Sequence, residues 1–275
     1  MRPQYSTTCW ISCEVIDYQH ENYLKKETQE RREKMQVKVK KQVLHEAATR
    51  GLANHGWLIS RHSFSFAGYY NPDRQNFGAL RVLNDDIVKP GMGFGSHPHE
   101  NMEIISIPIS GSLAHKDSTG KEREIKTGEV QIMSAGSGLS HSEYNYSKSE
   151  EVNFLQIWIL PKKINITPSY DQKDFSEKLK SNKLITVVSP KDKNSLWINQ
   201  DAEISLGKLI AGTTISHKLK FEDSGIYTFL IDGEAEINET KLKSRDAVGY
   251  FEIEKISINI HQDSTLLLIE IPNIY

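Results

Sequence analysis

From Met35 onward the chain is a succession of short apolar runs, rich in β-branched residues, each cut off by Gly, Asn, Asp or Pro. Glu103–Ile109 (EIISIPI), Glu129–Met133 (EVQIM) and Asn153–Leu160 (NFLQIWIL) are representative. Runs of this length and composition, bounded by turn residues, read as strands. Many of them at regular spacing predict an all-β barrel or sandwich. With 275 residues the chain has room for one large domain or two small ones.

Two strand-rich blocks can be distinguished. The first holds Glu103–Leu113 followed by Arg123–Ile132; the second holds Ile226–Asn238, Lys241–Tyr250 and Ser264–Ile271. In both, a strand runs to a Gly, a second strand follows, and a short turn precedes a third. This weak internal repeat predicts two similar barrels in tandem. Between them Pro161–Leu184 is polar and carries Pro161 and Pro168, and it reads as a linker with a short helix around Asp171–Lys180. The expected division is an N-terminal extension over 1–34, a metal-binding domain over 35–165, and a metal-free domain over 166–275. The extension is dominated by the charged run ENYLKKETQERREK and reads as a solvated helix or disordered tail, with Met35 as an alternative start.

Composition removes several function classes. The formal net charge of −2 gives no global basic field for nucleic acid. No apolar run approaches the roughly 18–20 residues that span a bilayer, and the N-terminus lacks a secretory pattern. The two cysteines, Cys9 and Cys13, both lie in the extension, which excludes a disulfide scaffold and a thiolate-only zinc site. A cytoplasmic location is expected.

The chemistry concentrates in two short segments. In Gly95-Ser96-His97-Pro98-His99, alternate side chains of a strand share a face, so His97 and His99 project together. His141-Ser142-Glu143 lies 42 residues beyond His99 and repeats the arrangement. If the two segments are neighbours in a barrel, three neutral imidazoles and a carboxylate converge. Such a set suits one divalent transition metal such as Fe, Ni, Cu, Co, Mn or Zn. Four protein ligands leave a coordination position open, as catalytic sites require. The glycine-rich approaches Gly91–Gly95 and Ala135–Gly138 allow sharp turns beside the ligands. An isolated His-x-His pair is more often surface or packing; two His-x-ligand pairs set in apolar strands are far more specific. His62 and His115 are read either as cavity or supporting residues or as structural histidines. His20, His45, His55, His217 and His261 lack a ligand-type partner at metal spacing.

Gly95–Glu103 (GSHPHENME), Leu113–Gly120 (LAHKDSTG) and Gln131–Glu143 (QIMSAGSGLSHSE) resemble the signature of the pirins and pirin-like quercetin dioxygenases. Asn54–Phe66 (NHGWLISRHSFSF) and Phe77–Asp86 (FGALRVLNDD) support the match, which spans roughly 36–275. The resemblance implies two tandem cupin barrels, that is, double-stranded β-helices or jelly rolls. It implies a mononuclear Fe(II)-type site on His97, His99, His141 and Glu143. Cupins in general often take a Glu four residues after the second His, which is Glu103 here; the pirin pattern assigns the carboxylate to Glu143 and leaves Glu103 as a supporting residue. The second block keeps only His217, with Leu219 where a second His would stand. The implied activity is cleavage of a flavonol such as quercetin by O2 with release of carbon monoxide. Glu143 takes the substrate proton, and Phe64, Phe66 and Phe94 either flank the barrel mouth or belong to the core. The implied partners are a flavonol-like substrate and O2, with no direct nucleic-acid or membrane binding, and a monomer is expected. The alternative is a non-enzymatic, iron-dependent and redox-responsive coregulator that acts through protein partners.

Overall fold

A computed structural model describes residues 42–274, and the Cys9/Cys13 and 1–34 readings lie outside them. The described chain is all-β, with two cupin barrels in tandem packed as one compact unit.

The first barrel is made of two facing sheets. A four-stranded sheet runs Gly93–His99, Leu139–Asn145, Ser112–Asp117, Glu122–Lys126. A seven-stranded sheet runs Ser169–Asp174, Glu129–Ser134, Glu103–Ser110, Val152–Ile159, Leu80–Val88, Leu58–His62, Gly51–Asn54. The central strands Glu103–Ser110 and Val152–Ile159 are buried almost throughout, as their predominantly apolar runs require. Leu113, Ile125, Val152 and Phe154 close the gap between the sheets at one end.

The second barrel is built on two long strands, Ser224–Ile237 and Lys255–Pro272, paired antiparallel. Their pairing slips between Leu230 and Ala235, where Gly233 adopts φ 100°. Those bulges bend the ribbon so that it serves both layers of the barrel. Its interior is a continuous apolar cluster of Ile226, Leu230, Ile237, Ile256, Ile258, Leu266 and neighbours.

Two segments pair where their sequence position does not suggest. Gln42–His45 pairs with Ala247–Tyr250 of the second barrel, although the chain then enters the first. Ser169–Asp174, within the stretch read as a linker, instead pairs with Glu129–Ser134 and completes the first barrel's large sheet. The helix expected around Asp171–Lys180 is therefore a strand, followed by a single turn over Ser176–Leu179. An edge strand needs only alternate contacts, so its polar sequence carries little apolar signal.

Between the barrels lies an aromatic cluster. Phe77 stacks on Phe251 with centroids 4.1 Å apart, Phe64 packs on Tyr227, and the Tyr227 hydroxyl is hydrogen-bonded to His45 Nδ1 at 2.8 Å. A Cβ at Gly249 would lie 2.5 Å from the Phe77 ring, so glycine is required for that ring to seat.

Candidate metal centre

The paired strands Gly93–His99 and Leu139–Asn145 bring the two motifs together. His141 lies opposite His97, and Leu139 lies opposite His99. Between His141 and Glu143 the register shifts, because Glu143 lies opposite Phe94 rather than Gly95. The extra residue is a β-bulge in the Gly95–Ser96 region, a device that re-aims side chains beside a site. The close approach explains Gly93, where a Cβ would fall 2.3 Å from the Glu143 carbonyl oxygen.

His97, His99 and His141 converge, with ligand atoms that all lie within 4.8 Å of one another. Their ring centroids are 4.5–4.9 Å apart. His97 Nδ1 donates to the Gly95 carbonyl at 2.8 Å, which leaves Nε2 with its lone pair free. His99 Nε2 and His141 Nδ1 are buried without a hydrogen-bond partner. Burial, with repulsion from neighbouring imidazoles, lowers the pKa of His99 to about 4 and that of His141 to about 3. Neutral imidazoles with unclaimed nitrogens are what a transition metal binds. The donor set therefore fits a divalent cation.

Glu143 is buried beside this cluster but outside the three-imidazole group. Its carboxylate is held from the facing sheet. Ser106 Oγ donates to Oε1 at 2.8 Å, and Gln156 Nε2 donates to Oε2 at 2.6 Å. Burial raises its pKa against the opposing pull of those donors and the nearby imidazoles. Each carboxylate oxygen keeps a further lone pair after accepting one bond.

The other sequence-predicted residues separate clearly. His115, opposite Glu143, is buried; its ring stacks on Tyr170 at 4.8 Å and lies 5.4 Å from His141, and neither nitrogen has a partner. Glu103 is buried on the large sheet, where it accepts from Ser134 Oγ at 2.7 Å and from the Asn199 backbone N–H at 3.2 Å. It clamps the chain leaving the first barrel. His62 and Glu143 line a cavity of about 290 Å³ together with His97. Phe66, Phe94 and Trp158 form its aromatic walls, and Trp158 meets the His99 ring edge-on at 4.9 Å. Phe64 is not at the mouth: it is buried against Tyr227 and His45 between the barrels. His55, set aside on spacing alone, does line the cavity.

Spacing also missed Ser106, Gln156, Asn84 and Asp86. Their signal was nonetheless present: Ser106 and Gln156 are single polar residues, and Asn84 and Asp86 part of the polar run Asn84-Asp85-Asp86, inside largely apolar and largely buried strands. Asp86 is 4% exposed, and burial raises its pKa to about 7.

A pair of jelly-roll barrels, one of which gathers three imidazoles beside a cavity with aromatic walls, defines a bicupin whose first barrel offers a ligand set for a divalent metal. The sequence comparisons agree. Residues 43–159 match the Pirin family model, and residues 186–271 match the model of the quercetinase C-terminal cupin domain. The chain belongs to the pirin family. It is 40% identical over 229 residues to the quercetin 2,3-dioxygenase of Escherichia coli, an alignment covering 83% of this chain and 98% of the relative. A pirin-like protein of Caulobacter vibrioides is likewise 40% identical, over 80% of this chain and 95% of its own length. Among solved structures, the Escherichia coli bacterial pirin YhhW in complex with nickel(II) superposes with a TM-score of 0.80 at 39% identity, covering 85% of this chain and all of that one. Among the described residues no helix is long and apolar enough to cross a membrane.

Proposed function

We propose that this protein is a metal-dependent dioxygenase that uses O2 to open the central ring of quercetin or a related flavonol. His97, His99, His141 and Glu143 form the centre, and the expected address is the cytoplasm. The observation that carries the reading is the pair of buried, unpartnered ring nitrogens on His99 and His141, beside a cavity with aromatic walls. The relatives named as quercetin dioxygenases support the substrate class. A divalent metal bound there, Fe(II) foremost and Ni, Cu, Co, Mn or Zn as alternatives, would supply Lewis acidity and a template for the substrate's adjacent hydroxyl and keto oxygens.

The remaining work falls to the chain itself. Glu143 accepts the proton of the substrate hydroxyl, and its burial makes it a stronger base than an exposed carboxylate. Ser106 and Gln156 fix the direction in which that carboxylate points. Phe66, Phe94 and Trp158 pack on a flat ring and exclude water. His97 is oriented through its bond to Gly95.

The test is product analysis. Metal-loaded protein, quercetin and isotopically labelled O2 should yield carbon monoxide and a ring-opened ester retaining both labelled oxygen atoms. Quercetin consumed without label in the product, or not consumed with any divalent metal, would sink the proposal.

A further inference from the structure

The sheet that faces His97 carries polar side chains in register. Ser60 lies opposite Asp86 and His62 opposite Asn84; Asn84 in turn lies opposite Gln156, and Gln156 opposite Ser106. Residues paired in this way share one face of the sheet. Ser106 and Gln156 are used up in holding Glu143. The rest of the row is not. His62 Nδ1, Asn84 Oδ1 and Asp86 Oδ1 are buried atoms with no hydrogen-bond partner, although Ser60 hydrogen-bonds the Asp86 carboxyl. These three side chains are only 2%, 3% and 4% exposed, and all three line the same cavity as His97.

Unpaired buried polar atoms are costly, and three gathered on one cavity wall offer hydrogen bonds to whatever occupies the cavity. Two are acceptor oxygens and one is an imidazole nitrogen, so their complement is a group of hydroxyl donors. The cavity sits at the small end of the roughly 300–1,000 Å³ range of ligand pockets. Its aromatic walls, Phe66, Phe94 and Trp158, suit a flat ring system.

We propose that Asp86, Asn84 and His62 form a hydroxyl-recognising pole across the cavity from the imidazole cluster. The pole makes the site specific for aromatics bearing at least one hydroxyl beyond the one directed at the metal. This rests on the dioxygenase reading for the choice of flavonol as substrate class. A site built to bond a hydroxyl discriminates strongly against the analogue lacking it, because its own polar groups are then left unpaired.

The test is anaerobic titration of nickel-loaded protein, followed by tryptophan fluorescence. One ligand is quercetin. The other is the parent flavonol, which keeps the 3-hydroxyl and 4-keto groups but has no other hydroxyls. The wild type should prefer quercetin by about tenfold or more. Asp86→Leu should erase that preference by weakening quercetin alone, and the parent flavonol should change by less than about twofold. Asp86→Asn, which preserves shape and one acceptor, should fall between them and carries the test should the Leu variant not fold. Equal losses for both ligands, or an unchanged preference, would overturn the pole. If neither flavonol binds the wild type, the flavonol reading fails. The pole is then judged by the preference for catechol over phenol in the same variants, and absence of that preference overturns it as well.

Discussion

Acidifying the metal-free protein from about pH 7.5 to about pH 5 is expected to cost about 4 kcal/mol of stability through His99 and His141 alone. Both imidazoles titrate well below the ordinary 6.5 in the folded state, at about 4 and about 3, because burial and neighbouring imidazoles disfavour the cation. The unfolded chain has no such constraint. Below pH 6.5 it binds more protons than the native state, so stability falls as pH falls. At about pH 5 the unfolded imidazoles sit about 1.5 pH units below their pKa. Each unit is worth about 1.4 kcal/mol, and each residue therefore contributes about 2 kcal/mol. The figure does not depend on how deep the folded pKa values lie, provided both stay below the working pH. The loss is large against the roughly 5–15 kcal/mol of a typical domain. Urea denaturation of chelator-treated protein at the two pH values measures it, with a His99→Gln/His141→Gln variant as reference. The variant should show a pH gap smaller by about 4 kcal/mol. A variant that keeps the wild-type gap would refute the placement of these two rings as neutral, each with a buried and unpaired nitrogen. Added nickel should restore stability at the higher pH and do so poorly at the lower one, since protons compete for the same nitrogens.

Three further outcomes are expected. Glu143→Gln should lower kcat by about 10²–10⁴-fold, the usual contribution of a positioned base, while elemental analysis still finds metal held by the three imidazoles. Phe66→Ala removes an aromatic wall of the cavity and should raise KM for quercetin by about tenfold or more with a smaller effect on kcat, measured by steady-state oxygen uptake. Gly93→Ala puts a methyl group 2.4 Å from the Tyr144 Cα, so denaturant titration should show about 1–3 kcal/mol of destabilisation together with weaker metal binding.

The two His-x-ligand pairs were legible because a strand's period of two is rigid: once Gly93–His99 and Leu139–Asn145 are strands, three of their four chemically useful side chains must meet if the strands pair. The tandem barrels were legible from repeated apolar runs. Other features depended on long-range pairing, which a single sequence does not specify. The strand Ser169–Asp174 is polar and lies on an edge, so its β character comes from its partner Glu129–Ser134. Gln42–His45 crosses to the second barrel through contacts some 200 residues away along the chain. Phe64 was offered two places because an aromatic beside the site and an aromatic beneath it look alike in sequence; Tyr227 and His45 decide between them. Of the polar row, His62 was legible as a candidate, while Asn84, Gln156 and Ser106 were visible only as polar interruptions of apolar runs. Register across four strands turned those breaks into a surface.

In the proposed reaction with O2, one metal held by His97, His99, His141 and Glu143 is indispensable. The most direct test couples elemental analysis of purified protein to an oxygen electrode with quercetin, for the wild type and His97→Ala. About one metal per chain and quercetin-dependent oxygen uptake are expected in the wild type, with both lost in the variant. Metal retained at full occupancy in His97→Ala, or oxygen uptake that persists in that variant, would rule out a metal-driven reaction at these residues.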